Sequence, residues 1–108
     1  MRALRITASG WWQTVDIDPT TSRPQTAAVA LRHNIELWYR TAADPDAEPN
    51  MAAMTLLPSV SDLGPHTVPM IYGDAIVVGV DPASGTPAPM TERQYHAISY
   101  ALLSSLSA

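Results

Sequence analysis

The run Ala75–Val80, AIVVGV, constrains this chain more than any other stretch. Six consecutive apolar residues, several of them β-branched, leave no polar face to turn toward water. Such a run reads as a central strand buried on both faces. It is preceded by Tyr72-Gly73-Asp74 and closed by Asp81-Pro82. Glycine supplies a positive φ and aspartate bonds nearby backbone, so Gly73-Asp74 reads as the turn that lets the strand begin. A ligand loop built on Gly73 and Asp74 is the alternative, because strand ends are where sites are grafted. Gly79, inside the strand, predicts a bulge or a close backbone approach.

A buried strand needs neighbours, and the N-terminal residues supply a hairpin. RALRITA and WWQTVDI flank Ser9-Gly10, an acceptable two-residue turn. That turn sets Ala8 opposite Trp11, Ile6 opposite Gln13, Leu4 opposite Val15 and Arg2 opposite Ile17. Leu4, Ile6, Ala8, Trp11 and Val15 then share one face, with Gln13 as its misfit. Arg5, Thr7, Trp12, Thr14 and Asp16 share the other. This register predicts a buried Trp11 and a wetter Trp12. IELWYR, residues 35–40, alternates Ile35, Leu37 and Tyr39 against Glu36, Trp38 and Arg40, and reads as a further strand. If it neighbours the hairpin, Trp12 and Trp38 share a face that is either core or presented to a partner.

Three helices are expected. DPTTSRPQTAAVALRHN, residues 18–34, carries a Ser22/Gln25 capping box, Pro24 in the first turn, and Pro24, Ala27, Ala28 and Leu31 at helical spacing. Asn34 is placed to stop it in a left-handed conformation. Asn50 is placed to cap a short helix, MAAMTLL, that Pro58 ends. Thr91 and Gln94 form a second capping box, with Met90 and Tyr95 as its hydrophobic staple, for a helix over Glu92–Leu106. Tyr95, Ile98, Leu102 and Leu106 form its buried stripe. Tyr100 and Leu103 stay outside that stripe as apolar surface. The segments TAADPDAEP and SVSDLGPH read as loops, and TVPMI as extended lead-in chain. The expected fold is α+β, a single domain over 1–108 in the order β-β-α-β-α-β-α. A small mixed or antiparallel sheet packs on two main helices.

Composition narrows the chemistry. Apolar residues make up 46% of the chain and charged residues 15%, a globular balance. The chain has no Cys, so disulfides, thiolate zinc sites and thiol nucleophiles are excluded. All 6 basic residues are Arg, which removes a Lys nucleophile and the Lys of a phosphate loop. With 10 acidic residues the net charge is −4, which argues against a nucleic-acid partner. The first residues carry no apolar run of membrane-spanning length, so no membrane partner is expected. His33, His66 and His96 lack metal-ligand spacing, and the aspartates at strand ends are placed as turn caps. No cofactor or metal is expected. The aromatics are more informative: Trp12, Trp38 and Tyr100, with Leu103, form the candidate binding surface.

Several pieces together carry a resemblance. MRALRITASG opens into a hairpin, followed by VDID, IELW, PNMAAMTLL, YGDAIVVGVD and MTERQ. Pro49-Asn50 with Ala53, and Tyr72-Gly73-Asp74 with the Val-rich strand and Gly79, are the matching motifs. In these the chain resembles the short domain-of-unknown-function proteins of actinobacteriophages and actinobacteria. The family brings no established activity and no catalytic residue. It implies a phage or prophage accessory protein in the bacterial cytoplasm. The expected function is non-enzymatic: binding a host protein, or self-association as a homodimer. The alternative is a small-ligand protein that binds or sequesters a nucleotide signal through Gly73, Asp74 and arginines. A small hydrolase ranks third.

Overall fold

A computed structural model of the chain describes residues 1–18, 27–40, 48–64 and 66–106. Among them the fold is α+β, an antiparallel sheet packed on two helices. The elements are β1 (Arg2–Ile6), β2 (Trp12–Asp16), β3 (Ala27–Leu31), β4 (Ile35–Arg40), α1 (Met51–Val60), β5 (Tyr72–Val80), β6 (Pro87–Ala88) and α2 (Glu92–Leu106). The sheet runs β2-β1-β5-β4-β3, and β6 pairs with the end of β5. The apolar run thus forms the middle strand. Ala75, Val77 and Val78 are fully buried, Val77 toward the helices and Val78 away from them.

The helix expected over residues 18–34 is corrected by the structure. Ala27–Leu31 forms β3, paired antiparallel with β4 from Ala27↔Tyr39 to Leu31↔Ile35. The turn between them holds His33 at φ 68° and Asn34 at φ 57°. Asn34 is left-handed as expected, but it closes a hairpin instead of stopping a helix. Ser22, Pro24 and Gln25 lie outside the described residues, as does residues 41–47 of the TAADPDAEP loop.

The hairpin register is also corrected. Ile6 pairs with Trp12, Leu4 with Thr14, Ala3 with Val15 and Arg2 with Asp16. The connection is the three-residue loop Ala8-Ser9-Gly10, with Gly10 at φ 97°. The Thr7 N–H and hydroxyl both donate to the Trp11 carbonyl, at 2.9 and 3.0 Å, and close the loop. Three-residue hairpin loops favour a left-handed third residue, which Gly10 provides without strain. The extra residue shifts β2 by one position and sends each of its side chains to the opposite face. Trp11 is therefore 51% exposed, while Trp12 packs against the main core with Leu4 and Ile6.

Gly73 and Asp74 lie within β5, not in a turn before it. The pairing of β4 with β5 shifts between Trp38↔Ile76 and Arg40↔Tyr72, so β5 carries extra residues at that point. Gly73 sits in this bulge at φ 68°. Its N–H donates to the Glu48 carbonyl at 2.9 Å, and the neighbouring Tyr72 bridges Pro49. The positive φ expected of Gly73 is present, with the bulge as its cause.

Asn50 begins α1 as expected, and its Oδ1 accepts from the Ala53 N–H at 3.0 Å. The helix continues through Pro58 to Val60, three residues beyond the expected last residue, Leu57. α2 spans the expected Glu92–Leu106, and its capping box is formed in both directions: Thr91 N–H to Gln94 Oε1 at 3.0 Å, Gln94 N–H to Thr91 Oγ1 at 3.1 Å. Met90 is buried and Tyr95 packs on the core, as a staple requires.

Gly79 meets the close approach expected of it. A Cβ there would lie 2.9 Å from the Pro89 carbonyl oxygen and 3.0 Å from both the Ala88 carbonyl oxygen and Gln94 Oε1. Two of those atoms are backbone, and one of them belongs to Ala88 of β6, which pairs with Gly79. Gly79→Ala is expected to cost about 1–3 kcal/mol by overpacking, read as a lower urea midpoint at unchanged slope. A midpoint within error of the parent would mean that the β5–β6 junction is looser than described.

Candidate interaction surface

α2 is fixed at its start and along one stripe. Gln94 Nε2 donates to the carbonyls of His33 and Asn34, both at 3.0 Å, tying the helix to the β3–β4 turn. Arg2 Nη1 donates to Glu92 Oε1 at 2.5 Å and its guanidinium stands 5.4 Å from the Tyr95 ring centre. That hydrogen bond and charge hold the Glu92 carboxyl below its ordinary pKa. Ile98 and Leu102 are buried in the core. On the side away from them Tyr100 is 74% exposed and Leu103 is 59% exposed. The two are three residues apart, hence neighbours on one side of the helix.

A second apolar feature lies on α1. Met51, Met54, Thr55 and Pro58, with Val68, line an open groove of about 300 Å³. Met51 is exposed, as is Met70 two residues beyond Val68. Methionine gives such a groove a soft, adaptable lining. The sequence offered a signal for it: Met51, Met54 and Pro58 recur at helical spacing beside the buried stripe Ala53, Leu56, Leu57, Val60.

The structure separates the candidate surface residues. Trp38 is 1% exposed, enclosed with Ala3 and Val78, and its Nε1 donates to Glu36 Oε1 at 2.6 Å. It leaves the candidate surface. Trp12 is half-buried against the helix-side core. The two tryptophans are not on one face, because the register of β2 turns Trp12 toward the helices and β4 turns Trp38 away. β2 and β4 are not neighbours either. Tyr100 and Leu103 remain together.

Asp74 does not bond local backbone as expected. Its Oδ2 lies 3.8 Å from Arg5 Nε across the sheet, an ion-pair contact between half-exposed groups. His96 Nε2 lies 3.6 Å from Glu92 Oε2 and its ring meets that of Tyr95 edge-on, with centres 5.8 Å apart, and His33 sits in the β3–β4 turn, not at a helix end. Among the described residues no three His, Asp or Glu side chains come together as a metal site. Asp81 caps a turn, its Oδ1 accepting from the Ala83 N–H at 2.9 Å.

The polar residue that sequence reasoning undervalued is Asn50. Fully buried, it donates from Nδ2 to the Ile6 carbonyl at 2.9 Å and to the Gly73 carbonyl at 2.8 Å while capping α1. It joins the hairpin, the bulge and the helix.

Compared with known proteins, the chain matches no family model, no curated protein and no solved structure. No helix among the described residues is long and apolar enough to cross a membrane.

Proposed function

We propose that this chain works by association, as a phage or prophage accessory protein that binds a host protein or a second copy of itself in the bacterial cytoplasm. The setting rests on the sequence resemblance. The association rests on one observation: Tyr100 and Leu103 are exposed side by side on a helix whose opposite stripe is buried. Exposed tyrosine and leucine on a rigid, capped helix give contact area at low entropic cost. The methionine groove on α1 adds apolar surface to the same helical layer.

The nucleotide-signal reading asks for arginines aimed at a ligand. Arg2, Arg5 and Arg32 instead face Glu92, Asp74 and Asp62. This favours association over ligand sequestration.

The test is binding with and without the helix surface. Tyr100→Ser with Leu103→Ser should leave the thermal midpoint within a few degrees of the parent, since both side chains are exposed. The same double variant should lose at least tenfold in affinity for the partner, in sedimentation for self-association or in pull-down titration for a host protein. Undiminished binding would remove the α2 surface from the proposal.

A further inference from the structure

The chain has 5 methionines and no cysteine, so thioethers are the only sulfur a hydroperoxide can oxidise in it. The five sit in graded surroundings. Met90 is 3% exposed within the core, and Met1 and Met54 are half-buried. Met51 is 61% exposed and Met70 is 48% exposed. Of the two exposed ones, only Met51 lines the groove on α1, beside Met54, Thr55, Pro58 and Val68. No charged side chain belongs to that lining. Met51 is also the first residue of α1, directly after the Asn50 cap, so its backbone is held in place.

We propose that Met51 is a modification site, oxidised by hydroperoxides to the sulfoxide, and that this conversion switches the α1 groove from apolar to polar. The inference goes beyond the α2 surface of the proposed function and does not depend on it. In the step, a sulfur lone pair attacks one peroxide oxygen. The S–O bond forms as the O–O bond breaks, sulfur loses two electrons, and the leaving oxygen takes a proton and departs as water or an alcohol. A thiol-dependent sulfoxide reductase reverses it: two thiols become a disulfide and the oxygen leaves as water. The thioether is soft and apolar, and suits contact with an apolar guest. The sulfoxide is polar and hydrated, so an apolar guest would have to strip its water without replacing the hydrogen bonds. Met70 is an internal control, open to the same oxidant but outside the groove lining.

The experiment treats the folded full chain with graded hydrogen peroxide, maps each methionine by peptide mass spectrometry, and titrates the products with Nile red, a neutral apolar dye. Met51 and Met70 are expected to oxidise first, with Met90 slower by at least about tenfold. Nile red is expected to bind the reduced chain and to lose at least about threefold in affinity after oxidation. Reductase treatment should restore binding. Met51→Leu keeps an apolar side chain that peroxide does not attack, so its affinity should survive oxidation even though Met70 is still converted. Met51→Gln is polar from the start and should reproduce the loss without peroxide. A Met51 that oxidises no faster than Met90 overturns the inference. So does a reduced chain with no saturable Nile red binding, or equal binding before and after oxidation. A loss that persists in oxidised Met51→Leu puts the effect on another methionine and overturns it as well.

Discussion

Replacing Asn50 by alanine should cost about 3–7 kcal/mol and lower the melting temperature by roughly 15–40 °C. The estimate has two parts. Loss of a helix cap costs about 1 kcal/mol. Withdrawing a buried donor from two carbonyls, those of Ile6 and Gly73, costs roughly 1–3 kcal/mol for each group left unsatisfied. Two further variants divide the effect. Asn50→Ser keeps a capping oxygen and should recover about 1 kcal/mol relative to alanine. Asn50→Asp keeps the cap but turns oxygens toward both carbonyls, and should be at least as damaging as alanine. Chemical denaturation of the four chains measures this. A loss below about 1 kcal/mol in the alanine variant would mean that the amide does not tie the sheet to α1.

Trp38→Ala should be comparably severe, at about 3–5 kcal/mol, because an almost fully enclosed indole is removed. The cavity would lie among Ala3, Val78 and Ile76 on the sheet face away from the helices. Trp11→Ala, at a half-exposed loop position, should stay within about 0.5 kcal/mol of the parent. The contrast tests the face assignment as well as the burial. Had Ser9-Gly10 formed a two-residue turn, Trp11 would face the core and its truncation would be the costly one. Equal losses at both positions would contradict the observed register.

The features legible in the sequence were the local ones. The Thr91/Gln94 box, the Asn50 cap and the extent of α2 depend on residues three or four apart, and each formed as read. The central strand was legible because a run of six apolar residues permits few other placements. Residues 27–31 were misread for an equally physical reason. Ala-Ala-Val-Ala-Leu is apolar at every position, so it fits helical spacing and strand alternation equally well. Alanine's helix preference then tipped the reading, and pairing with β4 overrode it. The hairpin failed by one loop residue. Ser9-Gly10 and Ala8-Ser9-Gly10 are both plausible turns, and a single step exchanges the faces of Trp11 and Trp12.

The candidate site followed the same division. Tyr100 and Leu103 were placed from helix geometry alone, and the structure exposes both. Trp38 was correctly set on the face opposite Ile35 and Leu37, but nothing local reports whether that face is enclosed. The two roles of Asn50 are another case. Its cap is three residues long, whereas its bond to Ile6 spans 44 residues, a distance that sequence spacing does not encode.

The central claim is that the chain acts through the exposed side of α2. Photo-crosslinking in bacterial cells that express the chain tests it most directly, with benzoylphenylalanine in place of Tyr100, and with the same group in place of Ser84 in the exposed β5–β6 turn as the control. The account predicts a discrete covalent adduct from position 100, of dimer mass or with one host protein, and none from position 84. No adduct from position 100, or the same adducts from both positions, would contradict it.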